Sequence, residues 1–255
     1  MSANPPWSQL QEDTHEPLRG FLRSIKKQKD LKFEAILVYG SAARGEFLPG
    51  YSNLNVLIVL EHITQLVLQQ WSGIHKQWAR EKFVAPLFLT HKDLQQSSDV
   101  FPLEFLGIKE QHVLLEGHDP FPELHVNTTN LFLQCRQEVH ANLLRVRQNY
   151  VEGWGKIEAI QTLLPLSLTA LLPCLRGLYR LLDRPSNVKS PDVLDDLNAT
   201  LDVDPSVFLE VWRLKRGLST PGKHELPKLL ERYLTGLGQL VDRVDAMKHE
   251  ERFQS

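Results

Sequence analysis

Residues 39–59 read YGSAARGEFLPGYSNLNVLIV, from Tyr39 to Val59, and the choice of fold turns on this stretch. It follows Glu34-Ala35-Ile36-Leu37-Val38, so a compact apolar run ends at Tyr39 and meets Gly40. A short run without alternation reads as a strand buried on both faces. Gly40 lets the backbone come close to a ligand, and Ser41 to Glu46 suits a short helical turn. Amides at the start of such a turn lack internal acceptors and can hold a phosphate, with the Ser41 hydroxyl as a further donor. Arg44, one turn on, can pair with phosphate oxygens or with Glu46. Gly50 after Pro49 marks a loop. Asn53 to Leu60 then reads as a second strand, with Asn53, Asn55 and Leu57 on one face and Leu54, Val56 and Ile58 on the other. Two alternate side chains at that strand's entrance, beside a phosphate-holding turn, stand where a phosphoryl-transfer enzyme needs metal-binding carboxylates.

This arrangement resembles the DNA polymerase beta-like nucleotidyltransferase superfamily, nearest in style to its small bacterial members and the aminoglycoside nucleotidyltransferases. The family pattern is an apolar strand, Gly-Ser, a short helix with a Gly, then an Asp-x-Asp pair opening a second apolar strand. Gly40, Ser41, Gly45, Ser52 and the strand Leu54 to Leu60 match it. The resemblance implies an α+β protein, with an N-terminal nucleotidyltransferase-like mixed sheet and flanking helices followed by an all-α helical bundle. It also implies a nucleotide or phosphate site at Gly40, Ser41, Arg44 and Ser52. In an active member the ligands would be Mg2+ and a nucleoside triphosphate.

The two family aspartates fall on Asn53 and Asn55. The third acid usually comes from a later strand, here Phe83 to Leu89, which contains no Asp or Glu. Mg2+ favours anionic oxygen ligands, whereas Asn offers a neutral carbonyl oxygen and two N–H donors. Phosphoryl transfer depends mainly on positioning and electrostatics, so losing the metal cluster removes most of the catalytic power. The expectation is a catalytically degenerate nucleotide- or partner-binding module with no metal site. Two alternatives stay open. An active nucleotidyltransferase would recruit Glu46, Glu81 or Asp93 as ligands. An interaction protein would use its helical half, as a homodimer or with a helical partner. Asn53 and Asn55 also have a plainer reading, as side chains that brace loop backbone at a strand entrance.

Outward from this motif, residues 1–14 read as a flexible lead-in. Glu16 to Lys29 is a predicted helix with Leu18, Phe21, Leu22 and Ile25 inward, its end marked by Lys26, Lys27 and Lys29. Thr64 caps a predicted helix to Arg80 with Leu68, Trp71, His75 and Trp78 on its inner stripe. Pro86 puts the Phe83–Leu89 strand at an edge or a bulge. Phe101 to Lys109 reads as a short helix and His112 to Glu116 as a fourth strand. After the Pro-rich stretch His118 to Leu124 strand patterns vanish. Helices are predicted over Thr128 to Tyr150, Lys156 to Leu182, Pro191 to Ala199, Pro205 to Arg216 and Leu226 to Met247. The domain boundaries are therefore placed at 15–125 for the α/β domain and 126–255 for the helical bundle.

The 255 residues carry a formal net charge of −2, with 42% hydrophobic and 24% charged residues. That balance gives no reason to expect nucleic acid as a partner. Cys135 and Cys174 are expected to be buried thiols in a cytoplasmic protein. The ten histidines show no metal-ligand spacing and read as surface or edge residues. The uncharged run Ala159 to Leu175 is shorter than the usual span of about 20 residues and contains Pro165 and Pro173, so a bundle core rather than a membrane helix is expected. Arg176, Arg180 and Arg184 lie four apart and are expected to pair with nearby acids.

Overall fold

Five residues, Ala35 to Tyr39, form the strand β1, and four of the five are buried. In the computed structural model, which describes residues 6–28 and 31–247, β1 is flanked on both sides. β2 (Asn55–Val59) and β4 (His112–Gly117) both pair with it antiparallel, and β3 (Leu87–Leu89) pairs parallel with β2. The order β3-β2-β1-β4 makes a mixed sheet. Side-chain alternation sorts the apolar residues. Ile36, Val38, Leu54, Val56 and Ile58 pack with Leu18, Phe21, Leu22 and Ile25 of α1 (His15–Lys26) and Trp71 and Ile74 of α2 (Gln65–Trp78). Ala35, Leu37, Leu57 and Val59 pack on the other face with Leu94, Phe105, Ile108 and Phe121. Leu94 belongs to α3 (His91–Ser97), and Phe105 and Ile108 to α4 (Pro102–Glu110).

The chain divides into two compact units. One holds the residues up to Val100 with Glu104–Val126, and the other Phe101–Leu103 with the residues from Asn127 onward. The fold is α+β, with the sheet in the first unit and only helices among the described residues of the second.

Several elements differ from their expected form. Residues 6–14 are not a loose lead-in but two 3-10 turns, Pro6–Gln9 and Glu12–Thr14, with Leu10 and Thr14 buried; the rest of that lead-in, and Lys29, lie outside the described residues. Ser41 to Glu46 is a chain of turns rather than a helix. Leu68 faces out at 41% exposure while Ile74 is buried, because the phase of α2 is set by Trp71 and half-buried Trp78. Trp78 meets the Phe21 ring edge-on at 6.3 Å and donates its indole N–H to Ser24 Oγ at 2.8 Å. Pro86 lies just ahead of the edge strand β3, in the irregular stretch between Phe83 and Leu87. Phe83 bridges Leu54 and Leu87 pairs with Leu57, so the edge carries one residue more than its partner, a local bulge around a proline that cannot donate.

In the second unit α5 (Leu131–Glu152) and α6 (Ile157–Leu181) form an antiparallel hairpin. Asn142 meets Ser167, and a Cβ on Gly177 would come within 2.5 Å of Cys135 Sγ, so contacts step outward from the 153–156 connection. By length and composition α6 is apolar enough to cross a membrane. Here it is a core helix, with Leu164, Leu168, Leu171, Leu175 and Leu178 fully buried. Pro165 and Pro173 lie inside it, and the carbonyls they leave without a helical donor belong to exposed residues, Gln161 and Thr169. Cys135 and Cys174 are free and buried. The predicted Pro191–Ala199 helix is two, α7 (Ser190–Asp195) and α8 (Leu197–Leu201), broken at Asp196. α9 (Ser206–Lys215) and α10 (Glu225–Met247) complete the unit. Arg176 is tied to the segment that follows its helix. It is buried, and donates to the carbonyls of Ser186 and Val188 at 2.6 and 2.5 Å and to Ser190 Oγ at 3.2 Å.

A buried polar node ties three helices together. Ser167 Oγ donates to Asn142 Oδ1 at 2.5 Å, Asn142 Nδ2 donates to the Ser167 carbonyl at 2.9 Å, and Tyr233 Oη lies 3.0 Å from Ser167 Oγ. Burial holds the Tyr233 phenol far above its ordinary pKa, so it stays protonated. Removing one member strands the others away from water. Asn142→Ala should therefore cost about 2–3 kcal/mol, and Tyr233→Phe about 1 kcal/mol. Urea unfolding of each variant, followed by helical circular dichroism, checks the order.

Candidate functional site

β1 ends at Tyr39, and the chain leaves the sheet through Gly40, whose φ is +77°. The next residues close a compact loop. Arg44 N–H donates to the Gly40 carbonyl at 3.1 Å, Gly45 N–H to Ala42 at 3.1 Å, and Glu46 N–H to Ser41 at 2.8 Å. The N–H groups of Ser41 and Ala43, on half-buried residues, find no acceptor among the described residues. Ala42 is fully buried and anchors the loop to the core beneath the sheet.

Register brings Asn55 to this loop. Tyr39 and Asn55 are direct partners in the β1–β2 ladder. A Cβ built on Gly40 would lie 2.7 Å from Asn55 Nδ2. The Asn55 amide thus covers Gly40; the positive φ calls for glycine there, and the nearby amide adds crowding that a Cβ would have to push aside. Asn53 lies ahead of the strand and is exposed. Neither asparagine side chain makes a hydrogen bond within the described protein, so they do not brace the loop backbone. Ser52 does. Its Oγ accepts from Leu48 N–H at 2.9 Å while its own N–H donates to the Leu48 carbonyl at 2.8 Å, closing the 48–52 turn. Arg44 is paired within the loop, with Nε 3.4 Å from Glu46 Oε2. Arg44 keeps 25% side-chain exposure against 8% for Glu46, which leaves the far edge of the guanidinium accessible.

The same ladder row extends further. His112 of β4 is the other partner of Tyr39, so Asn55, Tyr39 and His112 stand side by side on one sheet face. Desolvation pushes the half-buried Tyr39 phenol above its ordinary pKa and keeps it a donor. His112 lies on the edge strand β4 but is largely covered. Its side chain is 12% exposed, with Nδ1 2.8 Å from the Ile108 carbonyl and Nε2 2.9 Å from Asp119 Oδ2. Asp119 Oδ1 in turn accepts from Phe121 N–H at 2.9 Å. No spacing in the sequence announces this pair; only the β4 register reveals it. Tyr39 was legible as the last residue before Gly40, but its place beside Asn55 needed the ladder. His91, His118 and His125 are exposed.

No family model matches the chain, and no curated protein matches it. Among solved structures it is similar to the spectinomycin adenyltransferase from Enterococcus faecialis, whose crystal structure was determined with ATP and spectinomycin. The TM-score is 0.56 at 12% identity, over 91% of this chain and 99% of that one. The chain has a nucleotidyltransferase-like fold. At that identity the likeness is one of architecture, and the site has to be judged on its own side chains.

A nucleotidyltransferase-like fold raises the question of Mg2+, and the donor set at the β2 entrance does not fit it. Asn53 and Asn55 are neutral amides, and the three residues of β3 are Leu87, Phe88 and Leu89. The nearby acids have other positions or duties. Glu46 is held by Arg44. Glu81 is exposed in the 3-10 turn Ala79–Glu81. Asp93 closes a capping box on α3, accepting from Thr90 N–H at 2.9 Å and Thr90 Oγ1 at 2.8 Å. These hydrogen bonds hold its carboxyl below the ordinary value. Among the described residues no group of three or more His, Cys, Asp or Glu is arranged to hold a metal ion.

The contact between Gly40 and Asn55 is testable. Gly40→Ala should destabilise the protein by about 2–4 kcal/mol, of which about 1–2 kcal/mol is left-handed backbone strain and the rest the clash with the amide. In an Asn55→Ala background only the strain should remain. Thermal unfolding of the four proteins in a double-mutant cycle should show a coupling of about 1–2 kcal/mol.

Proposed function

We propose that this nucleotidyltransferase-fold protein binds nucleotide without transferring it and serves as a binding or regulatory module. The observation that carries this reading is the neutral Asn55 amide covering Gly40, where the sheet meets the loop. The frame of a phosphate site is kept: a positive-φ glycine, a serine beside it, loop N–H groups without acceptors, and an arginine with an accessible edge. The anions that would seat catalytic magnesium are replaced by side chains that cannot carry charge or accept the proton of an attacking hydroxyl. Likeness to an adenyltransferase determined with ATP supports a nucleotide as the ligand.

Calorimetry with ATP and GTP, paired with a pyrophosphate-release assay in Mg2+, tests the proposal. The expected outcome is saturable binding of at least one nucleotide and no pyrophosphate above a buffer blank. Steady Mg2+-dependent pyrophosphate release from pure protein, abolished in Glu46→Gln, would replace this reading with an active transferase that uses an acid from its own loop.

A further inference from the structure

The misfit between the donor set and Mg2+ has a consequence for the form in which the ligand arrives. We infer that the site takes its nucleotide as the metal-free polyphosphate anion, and that magnesium opposes binding. This rests on the nucleotide-binding reading above and sharpens it.

Consider what the loop and the ladder row offer. Asn55 and Asn53 bring amides with no protein hydrogen-bond partner. Ser41 brings a hydroxyl and an N–H, and Ala43 a second N–H. Arg44 brings a guanidinium whose Nε is used by Glu46 and whose other edge is accessible. Tyr39 is the ladder partner of Asn55 on the same sheet face. Every one of these groups can donate a hydrogen bond. The one carboxylate in the loop, Glu46, is 8% exposed and faces Arg44. Phosphate oxygens suit such a set, since charge-assisted bonds from guanidinium and N–H groups strengthen with the charge on the acceptor. A magnesium ion on the same oxygens cancels that charge. It also holds its waters tightly and needs anionic ligands to exchange them for, and the amides provide none. In an ordinary metal-using site two or three carboxylates repay the cation's presence. Here its field meets a guanidinium, loop N–H dipoles and neutral side chains, with no anion beyond Arg44-paired Glu46 to offset it. Free ATP therefore wins over its magnesium complex, by about tenfold if a single unit of charge is felt across the loop at an effective dielectric well above that of a dry interior.

Calorimetry of the intact protein with ATP, once in excess EDTA and once in excess Mg2+, reads this directly, with sodium triphosphate as a second probe. The wild-type protein is expected to bind ATP about tenfold more tightly in EDTA, and Arg44→Gln to lose most of that affinity. Asn55→Asp, alone and with Asn53→Asp, should reverse the preference, with Mg2+ now assisting; circular dichroism confirms that each variant folds. Tighter or equal wild-type binding in Mg2+ overturns the inference while leaving nucleotide binding in place. Binding in EDTA that is indifferent to Arg44→Gln overturns it as well, because the anion then sits elsewhere. Absence of binding in both buffers removes the nucleotide-binding reading itself.

Discussion

The contact between Gly40 and Asn55 is the constraint on which the rest of the site depends. It joins a backbone conformation to a ladder register. Tyr39 pairs with Asn55, the chain must leave the sheet at the next residue, and the amide occupies the space a Cβ would need. The register is itself secured by the core, because Ile36, Val38, Val56 and Ile58 are fully buried against α1 and α2, while Leu37 and Leu57 are fully buried on the other face. A slip by one residue would turn every one of them to the wrong face. Core packing thus sets which side chain stands over the loop, and the loop geometry follows.

What the core does not set is the charge of that side chain. Asn and Asp have nearly the same shape, so exchanging one for the other leaves the fold in place and changes the chemistry it can perform. Two of the candidate acids are engaged in local structure. Asp93 caps α3 and Glu46 balances Arg44 inside the loop, so turning either toward a metal would cost a cap or an ion pair. A nucleotidyltransferase-like fold and a neutral strand entrance are compatible for this reason. The first is fixed by burial on both faces of the sheet, the second by two amides at one end of it.

Much of this was legible in the sequence. An unbroken apolar run into Gly-Ser announces a buried strand and a tight exit, and the alternation of Leu54, Val56 and Ile58 announces the faces of β2. The α1 stripe and the irregular edge around Pro86 followed from helical spacing and from the missing N–H of proline. The rest depended on tertiary partners that local patterns do not encode. Ser52 matched a family position, yet its hydroxyl closes a turn with Leu48. His112 looked like a surface or edge histidine until β4 register set it beside Tyr39 and within reach of Asp119. The inner face of α2 is turned by one residue from the stripe the spacing suggests, with Ile74 rather than His75 buried between Trp71 and Trp78, because packing against the sheet sets the helix phase. The buried turns before α1 lacked a periodic signal altogether.

The central claim, that neutral amides at the β2 entrance leave no seat for a divalent cation, is most directly tested by titrating Mn2+ into isotopically labelled protein without nucleotide. Paramagnetic broadening of backbone amide signals reports where the ion resides. The account predicts that Gly40, Ser41, Asn53 and Asn55 broaden no more than exposed acidic surface elsewhere. Selective broadening of these four at low Mn2+ would contradict it, because an ion would then sit where only amides were thought to be.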